Sequence, residues 1–115
     1  MTVRIYHNHR CSKSRATLAL LEAQGQVCEV INYLDTPPSA AEITELLDLL
    51  GMTARELMRK GETEYSELGL DDPSLDDTTL IAAMASHPKL IERPIVVANG
   101  QAAIGRPPEA VLSIL

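Results

Sequence analysis

Cys11 lies in the stretch HNHRCSKSR, residues 7–15, which surrounds one thiol with bases, histidines and serines and contains no acid. A helical pattern begins directly after it, so the thiol stands at a helix start, where unpaired N–H groups and the helix dipole favour negative charge. A thiolate is such a charge and is the nucleophilic form of cysteine. Because Arg10, Lys13 and Arg15 add positive charge, we predict a depressed pKa for Cys11.

The same features suit an oxyanion, since phosphate-like groups dock at helix N-termini and on guanidinium forks. A thiolate beside such an anion-binding site predicts nucleophilic attack on a tetrahedral oxyanion. An inert loop thiol is the open alternative.

Position 14 is serine, so the C-x-x-C arrangement of dithiol oxidoreductases is absent. A disulfide formed at Cys11 therefore needs an external thiol to resolve it.

The other candidate side chains are read mainly as structural. Cys28 alternates with Val27 and Val30 in a predicted inner strand, which favours a buried, unreactive thiol. Two lone cysteines are too few for a disulfide scaffold and lack the spacing of a zinc site, so we expect no metal. His7, at the end of the first strand, is placed to hydrogen-bond inside the loop, whereas His9 is favoured as a solvated loop residue.

Strand and helix patterns alternate around this loop. Residues 2–6 and 27–33 are predicted strands on either side of a helix that starts at Ser12 and ends at Gly25. A strand, helix, strand unit of this kind favours a parallel strand pair with a right-handed crossover.

The middle of the chain is predicted to be helical. Ser39 and Thr53 each precede a glutamate by three residues, the capping-box spacing that begins a helix. A further helix begins at Asp76 or Asp77 and ends before Pro88.

The C-terminal part is predicted to be a hairpin followed by a helix. Residues 93–105, RPIVVANGQAAIG, contain two β-rich runs around Asn99-Gly100, the pair favoured in a two-residue turn. Pro107 and Pro108 mark the start of the last helix, whose predicted apolar face is formed by Val111, Leu112 and Leu115.

This order of elements predicts an α/β protein with a thioredoxin-like fold, a small mixed sheet with flanking helices. The 115 residues are enough for one domain, so we expect a single domain over 1–115 with a helical insertion at about 39–87.

The amount and distribution of charge limit the classes of function that fit this sequence. A net charge of −6 argues against a general binder of nucleic acid or anionic membranes. The bases of the N-terminal region nevertheless all precede the first acid, Glu22, which gives a locally basic site suited to a small anion. No apolar run resembles a membrane span or a secretory signal, so we expect a cytoplasmic protein.

Three stretches of the sequence resemble a known family: YHNHRCSKSRATL, LMRKGETEYSELGL and ERPIVVANGQAAIGRPPEAVLSIL. They are similar to the glutaredoxin-linked arsenate reductase (ArsC) family, and the likeness covers essentially the whole chain in order. The C-S-K-S-R form of the loop, with His9 where the best-known reductases have proline, resembles a subgroup of that family.

The resemblance implies that Cys11 attacks arsenate and that the oxyanion is held by Arg59, Arg93 and Arg106. It also matches further positions to the family's active site: His7, Asn8, Ser14 and Arg15 in the loop, and Pro94 as the proline held in cis opposite the cysteine. The implied partners are arsenate or a similar oxyanion, glutathione as co-substrate, and glutaredoxin. No bound cofactor is implied.

Two alternatives stay open at this point. The same fold family contains Spx-like redox regulators that bind RNA polymerase, although these typically carry C-x-x-C. A glutathione-dependent thiol reductase acting on another substrate is the second alternative.

Overall fold

The structure, a computed structural model, describes residues 3–115. Thr2, which begins the first predicted strand, lies outside this range. The strands and α-helices are, in order, β1 (Val3–His7), α1 (Ser12–Ala23), β2 (Cys28–Asn32), α2 (Ala40–Leu50), α3 (Ala54–Leu57), α4 (Thr63–Glu67), α5 (Asp77–Ser86), β3 (Ile95–Ala98) and β4 (Gln101–Ile104). Two 3-10 helices span Pro88–Leu90 and Pro108–Ile114.

The chain forms two compact units. The first consists of the described residues up to Thr36 together with Arg93–Leu115, and the second is Pro37–Glu92. The second unit takes in the predicted helical insertion at about 39–87. The assignment of the chain as one domain stays a prediction.

The first unit contains a four-stranded mixed sheet with the order β2-β1-β3-β4. Strands β1 and β2 are parallel, whereas β3 is antiparallel to both β1 and β4. The register of the parallel pair sets His7 opposite Asn32, so the segments that follow both strands leave from the same edge of the sheet. The predicted mixed sheet with helices is thereby confirmed.

Helix α1 and the C-terminal 3-10 helix pack on one face of this sheet. Their shared core is apolar and almost fully buried, and it comprises Val3, Ile5, Leu21, Val96, Ala98, Val111 and Ile114. Burial of these side chains is the main stabilising term for the unit that carries the cysteine loop.

Strand β2 lies at the edge of the sheet, so the prediction of an inner strand is wrong. It pairs with β1 alone, and Val27 and Val30 are 73% and 43% exposed. Cys28 is half-buried against the core rather than fully enclosed. A short apolar run does not distinguish an edge strand from a central one, because neighbours in the sheet come from distant sequence.

The C-terminal helix is a 3-10 helix, and its predicted apolar face is partly wrong. Val111 and Ile114 are buried, whereas Leu112 is 39% exposed. A 3-10 helix has three residues per turn, so residues three apart lie on the same side.

The local signals for helix starts and for the hairpin are confirmed. Both capping boxes form, at Ser39 and at Thr53, and Asp76 caps α5. The turn between β3 and β4 places Asn99 at φ 54° and Gly100 at φ 73°, the positive values that this turn requires. Within residues 3–115 no helix is both long enough and apolar enough to cross a membrane.

Candidate active site

Cys11 is the N-cap residue of α1 and follows a tight turn that begins at Asn8. The N–H of Cys11 donates to the Asn8 carbonyl at 3.0 Å, and the N–H of Arg10 donates to Oδ1 of Asn8, also at 3.0 Å. Asn8 thus closes the turn through its main chain and its side chain. The cysteine is 9% exposed, so the turn presents a largely desolvated thiol at the helix start.

The pKa of the Cys11 thiol is lowered although burial acts in the opposite direction. Burial raises the pKa, because a thiolate is poorly solvated in the protein. Hydrogen bonds from the main chain of Ser14 and Lys13 and the positive charges of Arg93 and Arg106 outweigh it. The predicted depressed pKa is therefore confirmed in direction.

The source of the positive charge differs from the expectation. The arginines that lower this pKa come from the hairpin region, at positions 93 and 106, and not from the neighbouring bases of the loop. Arg15 instead donates from Nη1 to the His9 carbonyl at 3.0 Å, and the side chains of Arg10 and Lys13 are exposed. Lys13 contributes through its main-chain N–H. Long basic side chains next to a thiol in sequence extend readily into water.

His7 and Ser14 form a buried polar contact beneath the loop. Oγ of Ser14 lies 2.7 Å from Nδ1 of His7 and accepts the N–H of Asn8 at 3.0 Å. The side chains of His7 and Ser14 are 6% and 0% exposed. Burial, followed by the charges of His9 and Arg15, lowers the pKa of His7, so the ring is neutral at pH 7. The predicted hydrogen bond of His7 inside the loop is present.

Arg93 and Arg106, whose charges lower the pKa of the thiol, are linked at the base of the hairpin by one main-chain and one side-chain hydrogen bond. The N–H of Gly105 donates to the Pro94 carbonyl at 2.9 Å, and Nη1 of Arg106 donates to the Arg93 carbonyl at 3.2 Å. The Arg93-Pro94 peptide bond is cis, the isomer implied by the family resemblance, and Arg106-Pro107 is also cis. Arginines 13 residues apart in sequence thus lie on one side of the site.

Gly105 allows α1 to approach this base closely. Oγ1 of Thr17 donates to the Lys13 carbonyl at 2.7 Å and lies 3.4 Å from the Gly105 carbonyl oxygen. A Cβ at position 105 would lie 2.4 Å from Oγ1 of Thr17 and 2.9 Å from Cγ of Pro94. Only glycine fits without a shift, so this contact sets how near the helix carrying Cys11 comes to the arginines.

Arg59 belongs to the second unit, where it follows α3. Nη1 of Arg59 forms an ion pair with Glu62, and its Nε lies 3.9 Å from Glu92. Its assignment to the oxyanion site stays a prediction.

Cys28 is a free thiol with the opposite electrostatic environment. Burial and the nearby carboxylate of Glu22 raise its pKa. A raised pKa makes a thiol a weaker nucleophile at neutral pH, which agrees with the predicted unreactive role.

Among residues 3–115 no group of His, Cys, Asp and Glu side chains is arranged to hold a metal ion.

Sequence reasoning predicted the action of main-chain N–H groups on Cys11 but missed the contact of Thr17 with Gly105. The main-chain N–H of Ser14 and of Lys13 follow from the helix start, but the close contact of Thr17 with Gly105 joins positions 88 residues apart. The one available signal was a glycine directly before Arg106, at the end of a predicted strand.

A four-stranded mixed sheet with flanking helices, a cysteine at the start of the helix after β1 and a cis proline just before β3 define a protein of thioredoxin-like fold. The sequence model of the ArsC family matches residues 6–114, and the chain belongs to this family.

Relatives of similar length share most of the sequence. The arsenate reductase of Neisseria meningitidis serogroup B is 53% identical over 114 residues, which cover 98% of this chain and 97% of that protein. The uncharacterized protein YfgD of Escherichia coli K12 is 60% identical over 114 residues, or 98% and 96% of the two chains. The structure of an arsenate reductase from Vibrio cholerae superposes with a TM-score of 0.97 at 60% identity, covering 100% of this chain and 98% of the other.

Proposed function

We propose that this protein is an arsenate reductase that uses glutathione and glutaredoxin as its reductant. The observation that carries the proposal is the lowered pKa of Cys11, caused against the effect of burial by main-chain N–H groups, that of Ser14 first, and by Arg93 and Arg106, groups that equally suit a tetrahedral oxyanion. Relatives at 53% identity over nearly their full length carry the name arsenate reductase, which supports arsenate as the substrate.

In the first step the Cys11 thiolate attacks arsenic. A sulfur–arsenic bond forms and one arsenic–oxygen bond breaks, with the oxygen leaving as water after protonation. Arg93 and Arg106 hold the remaining oxygens and stabilise the charge that accumulates on them. The main-chain contact of Gly105 with Pro94 and the contact of the Arg106 side chain with the Arg93 carbonyl support this arrangement.

In the second step glutathione supplies the other thiol. Its sulfur bonds to the enzyme-bound arsenic as a second oxygen leaves as water. Arsenic(V) then becomes arsenic(III) as the two sulfurs join in a disulfide between Cys11 and glutathione, so one electron comes from each thiol. Arsenite is released after hydration, and glutaredoxin attacks the mixed disulfide to restore the thiol.

The external reductant follows from the residue at position 14. Ser14 occupies the place of the second sulfur in C-x-x-C proteins, and its hydroxyl is engaged with His7 and Asn8. We place the reaction in the cytoplasm, where glutathione keeps thiols reduced. Arg59 is proposed as the third oxyanion ligand on the family resemblance.

The test is arsenate-dependent oxidation of NADPH in an assay coupled through glutathione reductase, glutathione and glutaredoxin. We expect activity from the wild type and none above background from Cys11→Ser, with Cys28→Ser as the matched control that keeps activity. Equal rates for the wild type and Cys11→Ser would overturn the proposal.

The same assay separates the thiol-reductase alternative. With arsenate and glutaredoxin both omitted, a glutathione-dependent thiol reductase would still consume NADPH, above the rate without the protein, when a mixed disulfide such as that of glutathione with 2-mercaptoethanol is added. Rates on that disulfide that exceed the arsenate rate would favour the alternative. Retention of RNA polymerase on the immobilised protein would favour the Spx-like alternative.

A further inference from the structure

A small pocket lies beside the cysteine loop, within the first unit. It has a volume of about 170 Å³ and is lined by the segment that follows β1 and by Asn32, Leu34 and Asp35 after β2. Its location follows from the parallel pairing of β1 and β2, since ligand sites of such sheets form outside the carboxyl ends of the strands.

The pocket presents one charge of each sign from two different segments. Arg10 and Asp35 both line the pocket and have exposed side chains, and among residues 3–115 neither forms an ion pair. A purely anionic ligand would meet Asp35 and a purely cationic one would meet Arg10. A ligand with an ammonium and a carboxylate bonded to the same carbon atom satisfies both residues.

The remaining walls fit the rest of an amino-acid group. Leu34 is 37% exposed and offers an apolar surface for a short methylene chain, while the exposed Asn32 offers an amide. The volume of about 170 Å³ is well below the roughly 300–1,000 Å³ of sites for drug-sized ligands. The pocket therefore accommodates one amino-acid moiety rather than a nucleotide or a whole tripeptide.

We propose that this pocket binds the γ-glutamyl end of glutathione, with its α-ammonium group at Asp35 and its α-carboxylate at Arg10. Arg10 directly precedes Cys11 in the chain, so a tripeptide anchored here lies next to the loop that carries the nucleophile. This assignment of the co-substrate site rests on the proposed function.

Direct binding of S-methylglutathione, which cannot react, tests the pocket without turnover. In an NMR titration of the wild type we expect shifts of the main-chain amides at 8–10 and 32–35. Asp35→Asn and Arg10→Gln should each raise Kd about ten-fold, because each removes a hydrogen-bonded charged contact. Asp71→Asn and Lys89→Gln, which remove exposed charges elsewhere, should leave Kd unchanged.

The ligand can be varied in the same titration. Acetylation of the ammonium group of S-methylglutathione should weaken binding to the wild type about ten-fold and have little effect on Asp35→Asn. An unchanged Kd in Asp35→Asn and Arg10→Gln would overturn the proposal. So would shifts confined to residues outside 8–10 and 32–35, or no binding up to about 10 mM.

Kinetics separate this proposal from the proposed function. In the coupled assay, Asp35→Asn should raise KM for glutathione and leave both KM for arsenate and the pKa of Cys11 unchanged. If the wild type lacks arsenate turnover but the titration succeeds, the reductase proposal fails and the pocket stands. If turnover is present and Asp35→Asn leaves KM for glutathione unchanged, the pocket assignment fails alone.

Discussion

Oγ of Ser14 lies 2.7 Å from Nδ1 of His7, and this buried contact ties the first turn of α1 to the last residue of β1. The same serine contributes the main-chain hydrogen bond that lowers the pKa of Cys11 most. The side chain thus fixes the position from which its own N–H acts on the sulfur. Support of the loop and activation of the thiol are coupled in a single residue.

The buried histidine makes stability depend on pH. Because folding lowers the pKa of His7, the unfolded chain takes up this proton first as the pH falls below about 6.5. The stability that neutral His7 gives the folded protein is therefore fully present above pH 6.5. It is lost as the pH falls towards the lower pKa of His7 in the folded state. Urea unfolding between pH 7.5 and 5.5, in steps of about 0.5, should show a decrease in the free energy of unfolding that is smaller in His7→Asn than in the wild type. His87→Asn should keep the wild-type slope; an equal slope in His7→Asn would contradict the prediction.

The pH dependence of alkylation reports the thiolate directly. We expect iodoacetamide to modify Cys11 with an apparent pKa below the roughly 8.5 of a free cysteine. Arg106→Ala should raise that pKa, because it removes a positive charge that favours the thiolate. Both the wild type and Arg106→Ala are titrated with Cys28→Ser added, so that Cys11 is the thiol that is alkylated. A value for the wild type at or above 8.5 would contradict the electrostatic explanation of the site.

If Arg93 and Arg106 bind the oxyanion as proposed, their removal should lower activity by more than the rise in the pKa of Cys11 explains. Arg106→Ala should lower kcat/KM for arsenate by about ten-fold or more, where each decade corresponds to roughly 1.4 kcal/mol. Arg93→Ala should act similarly, whereas Lys89→Ala, an exposed base in the other unit, should have no effect. Rates are compared at a pH above the measured pKa of each variant. Unchanged kcat/KM in both arginine variants would exclude them as oxyanion ligands.

A methyl group at position 105 should separate the helix from the base of the hairpin. Its Cβ would lie 2.4 Å from Oγ1 of Thr17, so we expect Gly105→Ala to destabilise the protein by about 1–3 kcal/mol. Gly61→Ala is the matched control, because nothing lies within 4 Å of its added Cβ and its φ is not in the left-handed region. Urea unfolding measures both. A Gly105→Ala protein as stable as Gly61→Ala would show that the helix shifts at no cost.

Features with a local cause were predictable from the sequence. The Asn99-Gly100 turn and the capping boxes at Ser39 and Thr53 formed as predicted, because each depends on the conformations and hydrogen bonds of a few adjacent residues. The position of Cys11 at the start of α1 was predictable for the same reason.

Features that depend on distant parts of the chain were not predictable from local pattern. Bases adjacent to Cys11 in sequence were expected to lower its pKa, but the charges that do so are those of Arg93 and Arg106. Only the family resemblance pointed to these arginines. The edge position of β2 was missed because strand order is set by the pairing of β1 with β3.

The two hydrogen bonds of the Ser14 side chain restrict how this loop could evolve. A cysteine at that position would be a weaker hydrogen-bonding group with a larger sulfur atom, and it would have to replace a hydroxyl that is fully enclosed. A sulfur at this position would therefore disturb the contacts with His7 and Asn8 that connect β1 to α1. Under the proposed function, replacing Ser14 alone would therefore not remove the need for an outside electron donor.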